Sequence, residues 1–599
     1  MDLNIQKQTI LDILHRVGPQ DLSVPDEARR AIAAKPFCAP YLKSLTDFAE
    51  SYRGKPIPEL PYSAFRLYHD NGNRAVFEDG ECGYFPRRGR LAAFGMLAWL
   101  YERPEDLAEL EDLIWAICNE YTWAVPAHLA AEEGRNAFVD KLENNDYMVD
   151  LFASETGQAL AEIAYLFGDR LSPIVRKRIA HELEVRIFSR VENVDFGWMH
   201  ITNNWASVCA GAVGMAAIHA IEDEDRLADI LSRLLPAFGC FLSGFAADGS
   251  CLEGIGYWNY GLSYFVAFAD LLHRRTAGEL DLFADPLVHK IALFQQKCYL
   301  PGGRTISFSD GSAHSHYHMG LSSYLSKKYA DVQLPPASCS SQDFVNGDHC
   351  HRWSNVLRDL LWAVENHDDA PVAAQTHLLP AAQWYIAAAP NGVSLAAKAG
   401  NNDEPHNHND VGSFQLFCRG EEMLADLGSG EYTRKYFSDR RYEYLVCGSQ
   451  GHNLPLIDGC TQNVGPEACG KNISLTEAGL SLDMAPAYGL DHLPALQRDI
   501  RFDNVTGGMT LTDTFTLTGE HTVTERFIAR GKVTVSDGCA HIAYNGEELT
   551  LHFDPDVFTA TVTETTYPGH LGIIFPVTLL DLTVTASGAF TASFRAECR

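Results

Sequence analysis

Two hydrophobic periods share this chain, and the change from one to the other limits its fold more than any other feature. From about residue 90 to 300, apolar residues recur every three or four positions, as in "RLAAFGMLAWLYERPEDLAELEDLIWAICNEY", "SETGQALAEIAYLFGDR", "SVCAGAVGMAAIHAIEDEDRLADILSRLLPAF" and "SYFVAFADLLHRR". That is the spacing of one helix face, and Gly, Pro and Asp punctuate the runs. Such helices bury their stripes only against one another, so a bundle, a solenoid or a toroid of helical hairpins follows. After about residue 375 the texture becomes short alternating runs, "MTLTDTFTLTG", "HTVTERFIARG", "KVTVSDG" and "LTVTASGAFTASFRAE". These read as antiparallel strands. The polar, proline-containing "ENHDDAPVAAQTHLLPAAQ" lies between the regimes as a linker. The expected plan is α+β in two domains, helical over 1–375 and antiparallel sheet over 376–599. A chain of 599 residues is long enough to bury two cores.

Charge and cysteine usage exclude several function classes. A net charge of −31 argues against a nucleic-acid partner, whose affinity comes from lysine and arginine on phosphates. It leaves an acidic small substrate open, because screening over about 8 Å lets a local basic cluster govern its own pocket. No apolar run reaches the roughly 18 residues a bilayer requires, so no membrane is expected. The 15 cysteines, an odd number without a CxxC pair, suit reduced thiols better than a disulfide framework. The opening "MDLNIQKQTILDILHRVGPQ" lacks the basic and apolar regions of a secretory signal, so a cytoplasmic location is expected.

The densest group of chemistry-bearing residues is "HNHNDVGSFQLFCRGEEMLADLGSG". In an extended segment His406 and His408 share a face. Downstream come Asp426, at the end of an apparent strand, and His452, in the Gly-rich "GSQGHNLPLIDG". Two imidazoles and a carboxylate suit zinc, or manganese or another divalent ion where oxygen character dominates; equally, such groups hydrogen-bond loop backbone. In the helical half, "GWMHITNNWASVCAG" places Asn203, Asn204 and Trp205 at a helix start, and "DGSCLEGIGYWNYGLSYF" places Glu253, Tyr257 and Tyr260 before another. A helix start offers amide donors to an anion, while asparagine there is also an ordinary cap. The run "GEYTRKYFSDRRYEY" gathers Arg434, Lys435, Arg440 and Arg441 with Tyr436, Tyr442 and Tyr444, a cluster able to hold carboxylate or sulfate or to form a solvated face. "RTISFSDGSAHSHYH" adds Arg304, Asp310, His314, His316 and His318; the three histidines at alternate positions could bind metal, but the stretch reads better as a surface loop.

Taken together, "TNNW", "DGSCLEGIGYWNYG", "HNHNDVGSF", "DLGSGEYT" and "SQGHN" resemble the heparinase II/III-like polysaccharide lyases, which include heparin, heparan, alginate and oligoalginate lyases. The resemblance spans roughly residues 150–460, and "DLFASETGQAL" extends it to Glu155. It implies an incomplete (α/α) toroid followed by a β-sandwich-like sheet domain, with a cleft between them. It also implies β-elimination from uronic-acid glycosides, leaving a 4,5-unsaturated product. The C5 proton beside an ionised carboxylate is very weakly acidic, so that carboxylate must be neutralised while a base takes the proton and an acid protonates the departing O4. By resemblance, Asn204 helped by Asn203 neutralises, Tyr257 or Tyr260 is the phenol and His406 the imidazole. His408, Asp426 and His452 would hold a zinc ion that fixes the loops. Trp205 stands where related sites carry a histidine. Substrate contacts would come from Glu155, Trp205, Glu253, Arg304, Arg434, Lys435, Tyr436, Arg440, Arg441 and Tyr444.

The reading is a cytoplasmic lyase on short uronate oligosaccharides, whether heparin or heparan, hyaluronate or chondroitin, or alginate, with homo-oligomerisation open. Its rivals are a uronyl C5-epimerase, which shares the proton abstraction, and a non-catalytic carbohydrate-binding protein.

Overall fold

The apolar stripes of the helical region separate into two kinds of helix. Tyr84–Tyr101, Leu151–Phe167 and Asn204–Ala220 are buried almost all round. Pro104–Cys118, Pro173–Leu183 and Glu224–Ser243 bury one face. A helix apolar all round must lie inside, and an amphipathic one covers it. Each inner helix is followed in the chain by an outer one packed on it, which gives the two-layered hairpins of an incomplete (α/α) toroid. The inner layer is tight because small residues line it. A Cβ added at Gly211 would stand 2.9 Å from the Tyr264 carbonyl oxygen, and one at Gly214 would stand 2.4 Å from the Phe268 ring. Helix starts are fixed locally: the Asp150 carboxylate accepts from the Ala153 N–H at 2.7 Å, and Asp223 caps Glu224–Ser243 in the same way.

The structure, a computed structural model, describes residues 3–71, 75–78, 83–129 and 147–598. Its first compact unit comprises Met1–Gly244, Asn259–His289 and His316–Asp368, and its second comprises Phe245–Trp258, Lys290–Ser315 and Asp369–Arg599. The sequence pattern treats each domain as one continuous stretch with a break near residue 375. The structure instead counts two inserts from the helical half with the sheet. Their contacts explain it: Phe308 packs edge-on against Trp384 at 5.2 Å, and the Ser307 N–H donates to the Gln415 amide oxygen at 3.2 Å. The inserts bring Glu253, Tyr257 and Asp310 into the second unit. Part of the stretch read as linker is already sheet, since Gln375–Leu379 pairs with Trp384–Ala388.

Among the described residues the second unit holds a 15-stranded antiparallel sheet. Its spine is Met509–Ala529 paired along almost its whole length with Ile574–Cys598. Met509, Leu511, Phe515 and Leu517 point inward with polar neighbours between them, as the two-residue period requires. The period breaks at the bulge between Leu517 and Glu520, where Gly519 takes φ 99°.

Two buried cations fasten loops to this sheet. Arg498 pairs with Asp513 and donates to the carbonyls of Gly412 at 2.9 Å and Asn453 at 2.8 Å, which explains an inward-facing aspartate on an apolar strand face. Lys398 donates to Asp410 at 2.8 Å and Glu404 at 3.1 Å. These bonds bracket the His406–His408 turn and fix the residue after His452.

One cysteine expectation is corrected. Cys418 and Cys598 form a disulfide with Cα atoms 5.9 Å apart, because Phe414–Cys418 and the end of Ile574–Cys598 meet in the folded sheet. A cross-link closed over 180 residues of separation leaves no trace in local spacing. Denatured protein should therefore titrate two fewer thiols before reduction than after it, and Cys598→Ser should lower stability by about 2–4 kcal/mol in urea unfolding. Equal thiol counts would refute the bridge.

Candidate active site

His406 does not sit in an extended strand. Its φ is 54°, and residues 403–406 form a turn, so the alternation argument for His406 and His408 sharing a face is replaced by another cause. Both rings converge on one buried carboxylate. His406 Nδ1 lies 2.5 Å from Asp310 Oδ2, and His408 Nε2 lies 3.1 Å from Asp310 Oδ1. Tyr432 donates to Oδ2 at 2.9 Å, the Tyr436 hydroxyl donates to Oδ1, and Arg441 stands 3.5 Å away. Burial pushes the Asp310 carboxyl up, but the bonds from His406 and His408 outweigh it and hold it well below the usual range.

Those bonds define the proton positions. An ionised carboxylate only accepts, so His406 carries its proton on Nδ1 and leaves Nε2 as the basic nitrogen. Nε2 faces Glu253 Oε2 at 3.6 Å, and burial raises the Glu253 pKa while His406 lowers it. The His406 ring stacks on Tyr257 at 4.2 Å, and Tyr257 and Tyr432 share a 2.5 Å hydroxyl contact. Because Tyr432 gives its only proton to Asp310, Tyr257 is the donor of that pair.

By the same logic His408 carries a proton on Nε2, and its Nδ1 is buried without a geometrically formed hydrogen bond, the Cys447 thiol being the neighbouring group that interacts with the ring. Asp426 Oδ2 and both ring nitrogens of His452 are likewise buried without hydrogen-bond partners. His452 Nδ1 stands 3.3 Å from Asp426 Oδ2, and the ligand atoms of all three residues lie within 4.8 Å of one another. Leaving several buried polar atoms unmatched is costly, and a cation among them would satisfy all three side chains. A His–His–carboxylate set with one histidine oriented by a second carboxylate fits a zinc-type ion.

In the first unit, Asn203 is the N-cap of Asn204–Ala220 and accepts from the Trp205 N–H at 3.1 Å. Asn204 is buried, with its Cβ beside Gly261, and Trp205 stacks edge-on against His128 at 4.6 Å. Tyr260 donates to Glu155 at 2.6 Å, Arg352 donates to the same oxygen at 2.9 Å, and Arg352 covers the Tyr260 ring. Burial, reinforced by Glu155, raises Tyr260 well above an ordinary phenol. The two candidate tyrosines therefore differ: Tyr257 joins the His406 cluster, while Tyr260 is locked as a donor to a carboxylate.

The basic run divides as well. Arg440 and Lys435 both pair with Glu443 at 2.8 Å at the surface, Arg434 is exposed, and Tyr444 shares a hydrogen bond with Thr433. Arg441 and Tyr436 turn inward to Asp310. Arg304 is held by Glu421 at 3.0 Å and His314 at 2.9 Å, on the wall of a pocket of about 360 Å³ that Glu422, Asp426 and Arg530 also line. His314 is thus committed to Arg304 in the second unit, and His318 to Asp359 in the first.

Asp310, which the sequence presents only as part of a surface loop, and Tyr432 are the site residues that sequence reasoning missed. Asp310 stands in a stretch without a period, and its only signal is the neighbouring "FSDG" turn. Asp310→Ala should leave Arg441 and the histidines without a counter-charge and destabilise the second unit by about 3–5 kcal/mol, whereas Asp310→Asn, of equal shape, should cost less. Urea unfolding of both variants checks this, and equal stability of wild type and Asp310→Ala would remove Asp310 from its central place.

The profile of the family described as "Heparinase II/III-like, C-terminal" matches residues 371–580. Among solved structures, a mutant heparan sulfate lyase of Pedobacter heparinus is similar at TM-score 0.59 and 13% identity, over 99% of this chain and 93% of that one. Heparinase III is similar at TM-score 0.58 and 12% identity, over 95% and 93%. A Streptomyces coelicolor A3 chondroitin AC lyase mutant is similar at TM-score 0.50 and 11% identity, over 96% and 83%. No curated protein sequence matches the chain. At such identities the structural likeness speaks for the fold, and the profile match identifies residues 371–580 as similar to the heparinase II/III-like C-terminal domain.

Proposed function

We propose that the protein is a polysaccharide lyase that cleaves uronate-containing glycans by β-elimination. The observation that carries this reading is the His406–Asp310 pair with Tyr257 stacked on the imidazole. A buried carboxylate fixes the ring and its tautomer and stabilises the imidazolium that forms on proton uptake, the role an orienting aspartate plays for other histidine bases. His406 Nε2 takes the C5 proton. Tyr257 is the acid for the departing O4, since a phenol donates readily but needs a nearby cation to act as a base at neutral pH. Before substrate arrives Tyr257 keeps its proton and donates it in a hydrogen bond to the Tyr432 oxygen, and Tyr432 in turn donates to Asp310, so the acid and the base depend on one carboxylate. Asn204 neutralises the substrate carboxylate, consistent with its place at the amide-rich start of a long helix. Arg441 adds positive charge to the cluster around Asp310.

His408, Asp426 and His452 would hold zinc. When bound, the ion supplies a fixed positive charge that ties three chain segments together. The histidine it would take is the neighbour of the base through Asp310.

Incubation of the purified protein with heparan, chondroitin or hyaluronate, and alginate oligosaccharides, followed by ultraviolet absorbance and mass spectrometry, tests the reading. Unsaturated, shortened products from at least one class are expected. Inversion at C5 without cleavage, or binding without any chemical change, would overturn it. With the active substrate, His406→Ala and Tyr257→Phe should each lose at least about 10²-fold in kcat, and Tyr260→Phe should be milder. Full rates in His406→Ala would place the chemistry elsewhere.

The metal assignment has its own readout. His408→Ala and His452→Ala should each lose stoichiometric zinc by elemental analysis and unfold at lower temperature, whereas His406→Ala should keep its metal. Unchanged metal content in His408→Ala would overturn the assignment.

A further inference from the structure

The pocket of about 360 Å³ beside Arg304 has no part in the chemistry assigned so far, although it adjoins the cluster around Asp310. Its volume falls in the range of small-molecule sites. The insert that carries Arg304 and His314, the turn after Glu421–Leu424, and the tip of the hairpin between Thr559–Pro568 and Ile574–Cys598 enclose it. All of these belong to the sheet unit. The hairpin tip is fastened to the reacting cluster: Gly569 bridges Gly430, and the His570 ring meets the Tyr432 ring edge-on at 4.2 Å. Tyr432 thus touches both places, His570 on the pocket rim and Tyr257 in the cluster.

The walls of the pocket are apolar where a solvated hairpin tip would be polar. Leu571 is 53% exposed, Ile573 56% and Phe575 41%, and a contiguous exposed apolar patch marks a binding surface. Phe575 packs on Tyr567 at 5.8 Å. A Cβ at Gly569 would stand 2.6 Å from the Phe575 ring, so the glycine is what lets that ring lie against the tip. The polar groups are few and mostly engaged. Arg304 spends its guanidinium on the Gly420 carbonyl, His314 and Glu421. Arg530 donates to Glu422 at 3.3 Å and to the Tyr567 hydroxyl at 2.8 Å. That hydroxyl accepts there, so its own proton is left for a ligand.

This lining selects against charge. An entering anion would meet Glu421, Glu422 and Asp426, with two arginines already bound to carboxylates. A ring with hydroxyls at its edge and C–H groups on its faces meets aromatic and aliphatic walls and a phenolic donor, and it leaves no charge unmatched. We propose that the pocket is a sugar subsite for an uncharged pyranose, a hexose or N-acetylhexosamine ring, of the same glycan whose uronate reaches the His406 cluster. The inference rests on the proposed lyase reading and narrows its substrate: a chain in which every ring carries a carboxylate would place one of those charges against the three acidic side chains.

The test is saturation-transfer NMR of the full chain with N,N′-diacetylchitobiose, whose rings are uncharged, and digalacturonate, whose rings are both anionic. Wild type should transfer saturation to chitobiose, and an equal concentration of digalacturonate should not displace it. Phe575→Ala and Tyr544→Ala should each weaken chitobiose binding by at least about fivefold, the scale of a lost aromatic contact. Circular dichroism establishes that the variants are folded, and the exposed Phe575 position keeps at least one of them so. No chitobiose signal in wild type, equal binding in wild type and a folded variant, or displacement by digalacturonate overturns the proposal. Binding needs no turnover, so this outcome stands apart from the lyase reading, which the oligosaccharide panel decides. With an oligosaccharide that is cleaved, Phe575→Ala should also raise KM by about fivefold, and an unchanged KM overturns the assignment of the pocket to that glycan.

Discussion

A single buried carboxylate, Asp310, organises the chemistry of the sheet unit. It lies in a short insert between helices, yet it accepts from His406, His408, Tyr432 and Tyr436 and has Arg441 nearby. A carboxylate stripped of water must be matched by donors or positive charge, or it protonates. Here the match is generous, and the consequence is geometric: each donor loses its freedom to rotate. The tautomers of two histidines follow from it, one presenting Nε2 and the other Nδ1. A site whose protons are assigned by one group is well ordered before any ligand arrives.

Two further buried ions serve that arrangement from below. Lys398 clamps Glu404 and Asp410 on either side of the histidine turn, and Arg498 holds the carbonyls of Gly412 and Asn453. Both are almost fully buried, where ion pairs add little net stability compared with apolar packing but are costly to break. Their value here is positional. An apolar core would have packed the sheet equally well, but it offers no directional bonds to fix a turn in which His406 adopts φ 54°.

How much of this was legible in the sequence depends on the range of each interaction. The helical and strand regimes were legible because periodicity is local: a stripe at 3.6 residues or an alternation at two reports its own burial. Ligand types near strand ends put His406, His408, Asp426 and His452 in one group, the family resemblance narrowed it to His408, Asp426 and His452, and the structure does gather those three. The convergence of His406 with His408 was right in outcome and wrong in cause, since a left-handed turn and a shared carboxylate replace strand alternation. Asp310 looked like ordinary loop because its partners lie about a hundred positions further on, and no period marks such a residue. The Cys418–Cys598 bridge escaped for the same reason. The basic run was legible in composition but not in direction: neighbouring Arg440 and Arg441 part company, one toward Glu443 at the surface and the other toward Asp310.

The link through Asp310 also couples the effects of substitutions across this site. His406 and His408 bond different oxygens of one carboxylate, so any change that reorients His408 alters the field and position of the acceptor that orients His406. Loss of activity after a ligand is removed therefore does not by itself place the metal in the reaction. The separable quantity is the order of effects. A group that only orients should affect metal content and folding together with rate, whereas a group that moves a proton should affect rate while metal and fold persist. On the proposed reading Tyr257 and His406 fall under the second description, and neither contributes an atom to the His408, Asp426 and His452 group. The proposed roles thus put proton transfer and structural support on different side chains while both depend on one buried charge, Asp310.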